Sequence, residues 1–226
     1  MPLSSSRGLR RATSPWSLTE ENAVNDLPVS RARAQKLASW LKTNYGDAMK
    51  AALDTTPFSV DVACAICCKE SGVYLVDFID DLSPADALMR CVFDASGDAP
   101  GTSRNPFPKN AAAFRAAYGD GFANMLIKEA NKSRVLRGLD AATYLYKGYG
   151  LFQYDLQYVR TDEAFFKDRL WGDFDECLQR LVSVLLSKYK KEGNVPDSIQ
   201  AYNGSGAKAV VYRTHVEQLV EFCKSA

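Results

Sequence analysis

Apolar residues recur at helical spacing along most of this chain. After Ser30, the positions Ala34, Leu37, Ala38, Leu41 and Tyr45 fall on one face, which predicts a Ser30-capped helix running to about Leu53. Thr55-Thr56-Pro57 then breaks it. Ser59 caps the next helix, whose Val60, Val62, Ala63, Cys64, Ala65, Ile66 and Cys67 are apolar on every side. A helix that is apolar all round belongs in the core. Its polar end, Lys69-Glu70-Ser71-Gly72, is where that core helix surfaces, with Gly72 expected as the terminator.

The pattern loosens from Val73 to Lys147. A short helix is expected over Pro84 to Cys91, and residues 94–109, rich in Gly, Pro, Ser and Asp, read as a loop. Asn110 opens a helical region with Phe114, Ala117, Phe122, Met125, Leu126 and Ala130 as expected core contacts, and Gly119-Asp120-Gly121 as a place where it splits. Gly148-Tyr149-Gly150 signals a sharp turn. Asp173, with Glu176 three places on, is a capping arrangement. The helix behind it carries Phe174, Cys177, Leu178, Leu181 and Leu185 on one face and stops at Gly193. Pro196 starts a short helix, Asp197 to Tyr202, which Asn203-Gly204-Ser205-Gly206 closes. A final helix to Cys223 is expected to bury Val210, Val211, Leu219 and Phe222. Strand signals are few. The fold class is therefore mainly α with at most a small β element, in two parts: a loosely attached tail over 1–28 and one domain over 29–226.

Composition narrows the partners. The chain has 226 residues, and its 28 basic side chains nearly cancel 27 acidic ones, so nothing draws it toward nucleic acid or an anionic membrane. A single basic cluster, Arg7, Arg10 and Arg11, sits in the Ser-rich tail. No apolar run is long enough to span a bilayer. No secretory or twin-arginine signal follows the first arginines, so the chain reads as a cytosolic product, a processed form, or cargo exported by a route that reads no such signal. Six cysteines, three of them in Cys64-x-x-Cys67-Cys68, are expected to be buried thiols, with one or two disulfides as the alternative. A metal site is disfavoured because His215, the lone histidine, has no partner near it in sequence, and no cofactor motif is present. His215 reads as a helix-face residue rather than a catalyst.

Three segments mix polar side chains with glycine at the ends of apolar elements: Glu70-Ser71-Gly72, Gly148 to Asp155, and Ala201 to Gly206. Their order and character resemble the goose-type lysozyme and soluble lytic transglycosylase family. The resemblance rests on Glu70-Ser71 at the end of a buried helix, then Gly150-Leu151-Phe152-Gln153, then Ala201-Tyr202-Asn203, and spans 59–72 and 148–215. It implies a lysozyme-like α domain that cleaves the β-1,4 bond between N-acetylmuramic acid and N-acetylglucosamine in peptidoglycan, as muramidase or lytic transglycosylase. Residues 73–147 are then an insertion whose helices would wall or cover the cleft. Phe152 stands where the family has Met, Gly204-Ser205-Gly206 replaces an Ala-Gly pair, and a strongly basic surface is missing. Chitin cleavage on the same scaffold and a non-catalytic glycan-binding or structural module are the rival readings.

The chemistry fits Glu70 separately. Breaking a glycosidic bond needs a carboxylic acid that is still neutral near neutral pH. A carboxyl at the end of an apolar helix meets both a dry surround and the negative end of the helix dipole, and both raise its pKa. By the resemblance, Asp155 would position or activate water, which calls for carboxyls roughly 6.5–9.5 Å apart. The alternative is that Asp155 caps the next segment. Asp77, Asp80, Asp81 and Asp140 are rival bases, and a transglycosylase needs no second carboxylate. Gln153, Tyr202 and Asn203 would line the sugar groove, with Tyr149, Tyr154 and Ser71 as further candidates for substrate contact.

Overall fold

The computed structural model describes residues 26–95 and 97–226. Most of the predicted tail, including Arg7, Arg10 and Arg11, lies outside the described residues. At the tail's predicted end, Leu27 packs on the core and Val29 is buried. The fold is mainly α with one small sheet. In chain order the elements are α1 (Arg31–Leu53), α2 (Val60–Glu70), α3 (Gly72–Asp81), α4 (Pro84–Met89), β1 (Val92–Ala95), α5 (Ala111–Leu136), β2 (Tyr146–Tyr149), β3 (Tyr154–Asp155), α6 (Glu163–Lys167), α7 (Phe174–Glu192), α8 (Val195–Asn203) and α9 (Ala207–Cys223). Short 3-10 turns cover Leu156–Arg160 and Leu170–Gly172. Among the described residues, no helix is long and apolar enough to cross a membrane.

Local chemistry explains most boundaries. Ser30, Ser59 and Asp173 each accept a backbone N–H of the first helical turn, satisfying donors a helix start leaves orphaned. Gly193 ends α7 in the left-handed region at φ 76°. Gly119, at φ 83°, kinks α5. α2 is the centre of the molecule. Ala63 to Cys68 are buried without a break, and α1 and α9 pack against this helix. All six cysteines are buried free thiols in this arrangement.

Several expectations give way. Gly72 does not stop the chain: α3 starts there, and a Cβ at Gly72 would press on Val29 Cγ1 at 3.3 Å and Leu37 Cδ2 at 3.5 Å. Its small size serves close packing. The expected loop over 94–109 begins inside a strand, because Val92 and Phe93 pair antiparallel with Tyr149 and Gly148. Tyr149 and Gly148 in turn pair with Tyr154 and Asp155, giving the order β1-β2-β3. Ala117 is exposed, and Tyr118 packs on the core instead. In α9 the buried face holds Ala209, Tyr212, His215, Val216, Leu219 and Cys223, whereas Val210 is 40% exposed and Val211 and Phe222 are half-buried. The phase differs because two polar-tipped side chains, Tyr212 and His215, turn inward to meet partners on α2. His215 is thus a buried residue.

Candidate active site

Glu70 is the last residue of α2, and Ser71 is the bend that separates it from α3. The Ser71 hydroxyl donates to the Leu151 carbonyl at 2.7 Å. That bond pins the Gly150-to-Gln153 turn to the end of the acid's helix. Two glycines let the turn close. A Cβ on Gly148 would lie 2.1 Å from Gln153 Oε1, and one on Gly150 would lie 2.5 Å from Cys177 Sγ. Gly150 also has φ 75°, and Gln153 itself sits at φ 50°. The Gln153 amide donates to Gly150 O at 2.8 Å. The second half of the site comes from α8, where the Tyr202 hydroxyl donates to Phe152 O at 2.9 Å.

These contacts assemble a cleft of about 330 Å³ lined by Glu70, Asp94, Lys147, Gln153, Tyr154 and Asp155, and closed by Tyr158, Arg180, Tyr202 and Asn203. The three segments singled out in the sequence therefore converge. Two of the proposed contacts do not survive as such. Tyr149 is fully buried, its ring packed against Phe166 and Trp171, so it cannot stack on a sugar. Ser71 is 1% exposed and acts on the turn behind the cleft. Gln153 lines the cleft, but its amide N–H is engaged by the turn. Tyr154 is half-buried, its ring stacked on Tyr158 at 4.7 Å and on Phe166 at 5.9 Å, so the exposed ring of Tyr158 is the flat platform of the kind a pyranose face covers.

The Glu70 carboxyl accepts a hydrogen bond from the Tyr212 hydroxyl at 2.6 Å. Burial pushes its pKa up from 4.5 to about 7; the Tyr212 bond opposes this, Asp94 adds to it, and Lys69 and Lys147 oppose it. Lys69 Nζ lies 2.9 Å from His215 Nδ1, so its ammonium is held to one side of the acid.

The other predicted carboxylate has a different setting. Asp155 takes both guanidinium nitrogens of Arg104, with Nη1 to Oδ2 at 2.9 Å, and caps the following 3-10 turn through Gln157 N at 2.7 Å. Asp155 lines the cleft, and the cap expected as its alternative role is present. Among the rival bases, Asp77 and Asp80 pair with Arg33 and Lys36, and neither they, Asp81 nor Asp140 line the cleft. Asp94, missed in the sequence, does. It stands opposite Lys147 in the β1–β2 ladder, has φ 63°, and its side chain is 65% exposed. Tyr212, Tyr158, Arg180 and Lys147 were also missed. For Tyr212 a signal existed: with Ala209, Val216 and Leu219 it falls on one α9 stripe. Among the described residues, no group of three or more His, Cys, Asp or Glu could hold a metal ion.

Comparison of the chain with protein-family models, curated proteins and solved structures gives no match.

Proposed function

We propose that this protein is a glycan-cleaving enzyme acting on the β-1,4 bond between N-acetylmuramic acid and N-acetylglucosamine, with Glu70 as general acid. One observation carries the reading: a carboxyl with a pKa pushed to about 7 by burial opens onto a polar, tyrosine-lined cleft. Such an acid is protonated at working pH and ionises readily once it has delivered its proton to the leaving oxygen. The order of the three segments adds the family resemblance. Tyr154, Tyr158, Tyr202 and Asn203 offer ring faces and an amide to an N-acetylated sugar.

The course after bond breaking follows from which carboxylate is available. Asp155 is engaged by Arg104 and by Gln157 N, so Asp94, whose Lys147 neighbour stands off at 3.7 Å, is the less encumbered cleft carboxylate for orienting water in a hydrolase. In a transglycosylase Glu70 takes the proton back from the C6 hydroxyl of the muramic sugar, and no second carboxylate is required. The test is to incubate the protein with purified cell wall and with chitin oligomers, then weigh the products. A normal reducing end means hydrolysis, and a product lighter by one water means the anhydro route. No cleavage of either polymer would sink the proposal. Cleavage of chitin alone would favour the second reading, to which the near-neutral charge of the chain lends support.

A further inference from the structure

The cleft around Glu70 opens sideways. Lys147 lines both it and a neighbouring recess of about 550 Å³, walled by Ala95, Gly97 and the 102–106 segment. The two spaces differ in sign. Among the described residues, the first holds Glu70, Asp94 and Asp155 against Lys147 and Arg180, and Arg180 is already paired with Asp162 and Glu176. The second holds Arg104 and Lys147 and no carboxylate.

The two cations of the recess are not equivalent. Arg104 is 6% exposed, and its nitrogens are taken by Asp155 and by the carbonyls of Phe107 and Pro108. Lys147 has Asp94 as ionic neighbour at 3.7 Å, with its side chain 39% exposed. That separation is longer than a hydrogen bond, so the ammonium keeps donors for a ligand. A neutral sugar chain suits the acidic cleft. With Glu70 protonated, an anionic branch on that chain would be repelled by Asp94 and Asp155 and received by the recess, with Lys147 at the junction.

We propose that the recess takes a carboxylate carried on the 3-oxygen of an N-acetylated sugar, and that Lys147 is the residue selecting for it. The inference rests on the glycan-cleaving reading and extends it to substrate choice. An ammonium is a compact point charge that rewards an anion without demanding planar geometry. A cation at the edge of a site tunes specificity more than it adds raw affinity. The carboxylate has two possible sources: the lactyl group of muramic acid, or an acidic residue of a peptide joined to that lactyl group through an amide.

Because the charge of Lys147 also acts on Glu70, turnover would mix two effects, and binding separates them. Calorimetry on the Glu70→Gln protein would use three probes: a chitin tetramer, an alternating N-acetylglucosamine–N-acetylmuramic acid tetramer with free lactyl carboxylates, and the same tetramer extended with L-Ala-D-Glu. At low salt, at least one anionic tetramer should bind roughly tenfold tighter than the neutral one, the size of one charge-assisted hydrogen bond. Preference for the free lactyl probe assigns the lactyl group, and preference confined to the extended probe assigns the peptide. Adding Lys147→Met should erase the preference, and Lys147→Arg should keep most of it. A preference that persists in Lys147→Met overturns the inference, and so does equal affinity for all three probes or absence of binding. If the wild-type protein cleaves no glycan, the proposed function fails, while the binding preference still decides this point.

Discussion

On the helical side of the cleft, Glu70 meets the apolar body of α2 and one neutral donor, the Tyr212 hydroxyl. On the sheet side, Asp155 meets a guanidinium on both oxygens and a backbone N–H besides. Both carboxyls line one cleft, and their surroundings suit them to different work. A dry wall with a single uncharged donor raises a carboxyl's pKa and makes it an acid. A charge pair with Arg104 makes the other a structural anchor: it ties the 97–110 loop to β3, while Asp98 holds the far end of that loop through Ala111 N and Leu145 N. The insertion thus reaches the cleft through two strands, with Asp94 on β1 and Lys147 on β2 as its lining residues, rather than through helices.

The largest expected effect tests the acid side. Glu70→Gln should lower cleavage by roughly 10²–10⁴-fold, the usual worth of a general acid, with the fold kept because Tyr212 can donate to the amide oxygen. A reducing-end assay beside a circular dichroism melt checks both, and full turnover by the variant would refute the assignment. The anchor side is broken by Arg104→Met. Removing one partner of a pair whose cation is 6% and acid 28% exposed should cost about 2 kcal/mol in urea unfolding, less than a fully buried pair because water reaches Asp155. Cleavage should fall far less than in Glu70→Gln. If Arg104→Met instead matched Glu70→Gln in activity at unchanged stability, Asp155 would be a working group and the contrast would collapse.

Tyr212→Phe sharpens the acid side. The phenol bond lowers the Glu70 pKa against the larger push of burial, so its loss should move the basic limb of the pH–rate profile above its position near 7. The plateau kcat/KM should also drop roughly tenfold as the acid loses its hydrogen-bonded orientation. A profile that stays in place would mean the phenol does not act on the carboxyl.

How much of this could be read in advance depended on whether the deciding contact was local. Caps at Ser30, Ser59 and Asp173, the Gly193 stop and the Gly119 kink are decided within one turn of chain, and all were legible. So was the convergence of Glu70, the Gln153 turn and Tyr202-Asn203, because each carried its own short signature. The misses share long-range causes. β1 exists because Val92 and Phe93 find partners in β2, and nothing near Asp94 announces that. Tyr149 reads as a candidate for substrate contact until Trp171 and Phe166 close over it. Gly72 reads as a helix stop because glycine often is one, but here Val29 and Leu37 demand the space. In α9, two valines outrank a tyrosine and a histidine on hydrophobicity. Yet Tyr212 and His215 are buried, since Glu70 and Lys69 satisfy their polar tips.

The smallest effect expected is on stability, and it tests whether the wall around Glu70 is dry at all. The folded pKa of about 7 lies above the ordinary 4.5. Between those values the unfolded chain holds fewer protons than the folded one, so this group's contribution to stability falls as pH rises. It is complete below about 4.5 and lost once pH passes 7. Glutamine titrates nowhere in this range, so Glu70→Gln should match the parent near pH 4 and exceed it near pH 8. A shift of this size corresponds at most to about 3 kcal/mol, but the carboxyl opens to the cleft and water screens it, which brings the expected gain to about 1 kcal/mol. Urea unfolding of both proteins at the two pH values measures the difference of differences, in which every other titrating group cancels. A gain that is equal at pH 4 and pH 8 would show a carboxyl solvated like any surface acid, and the acid side of the cleft would then differ from the anchor side in partners alone.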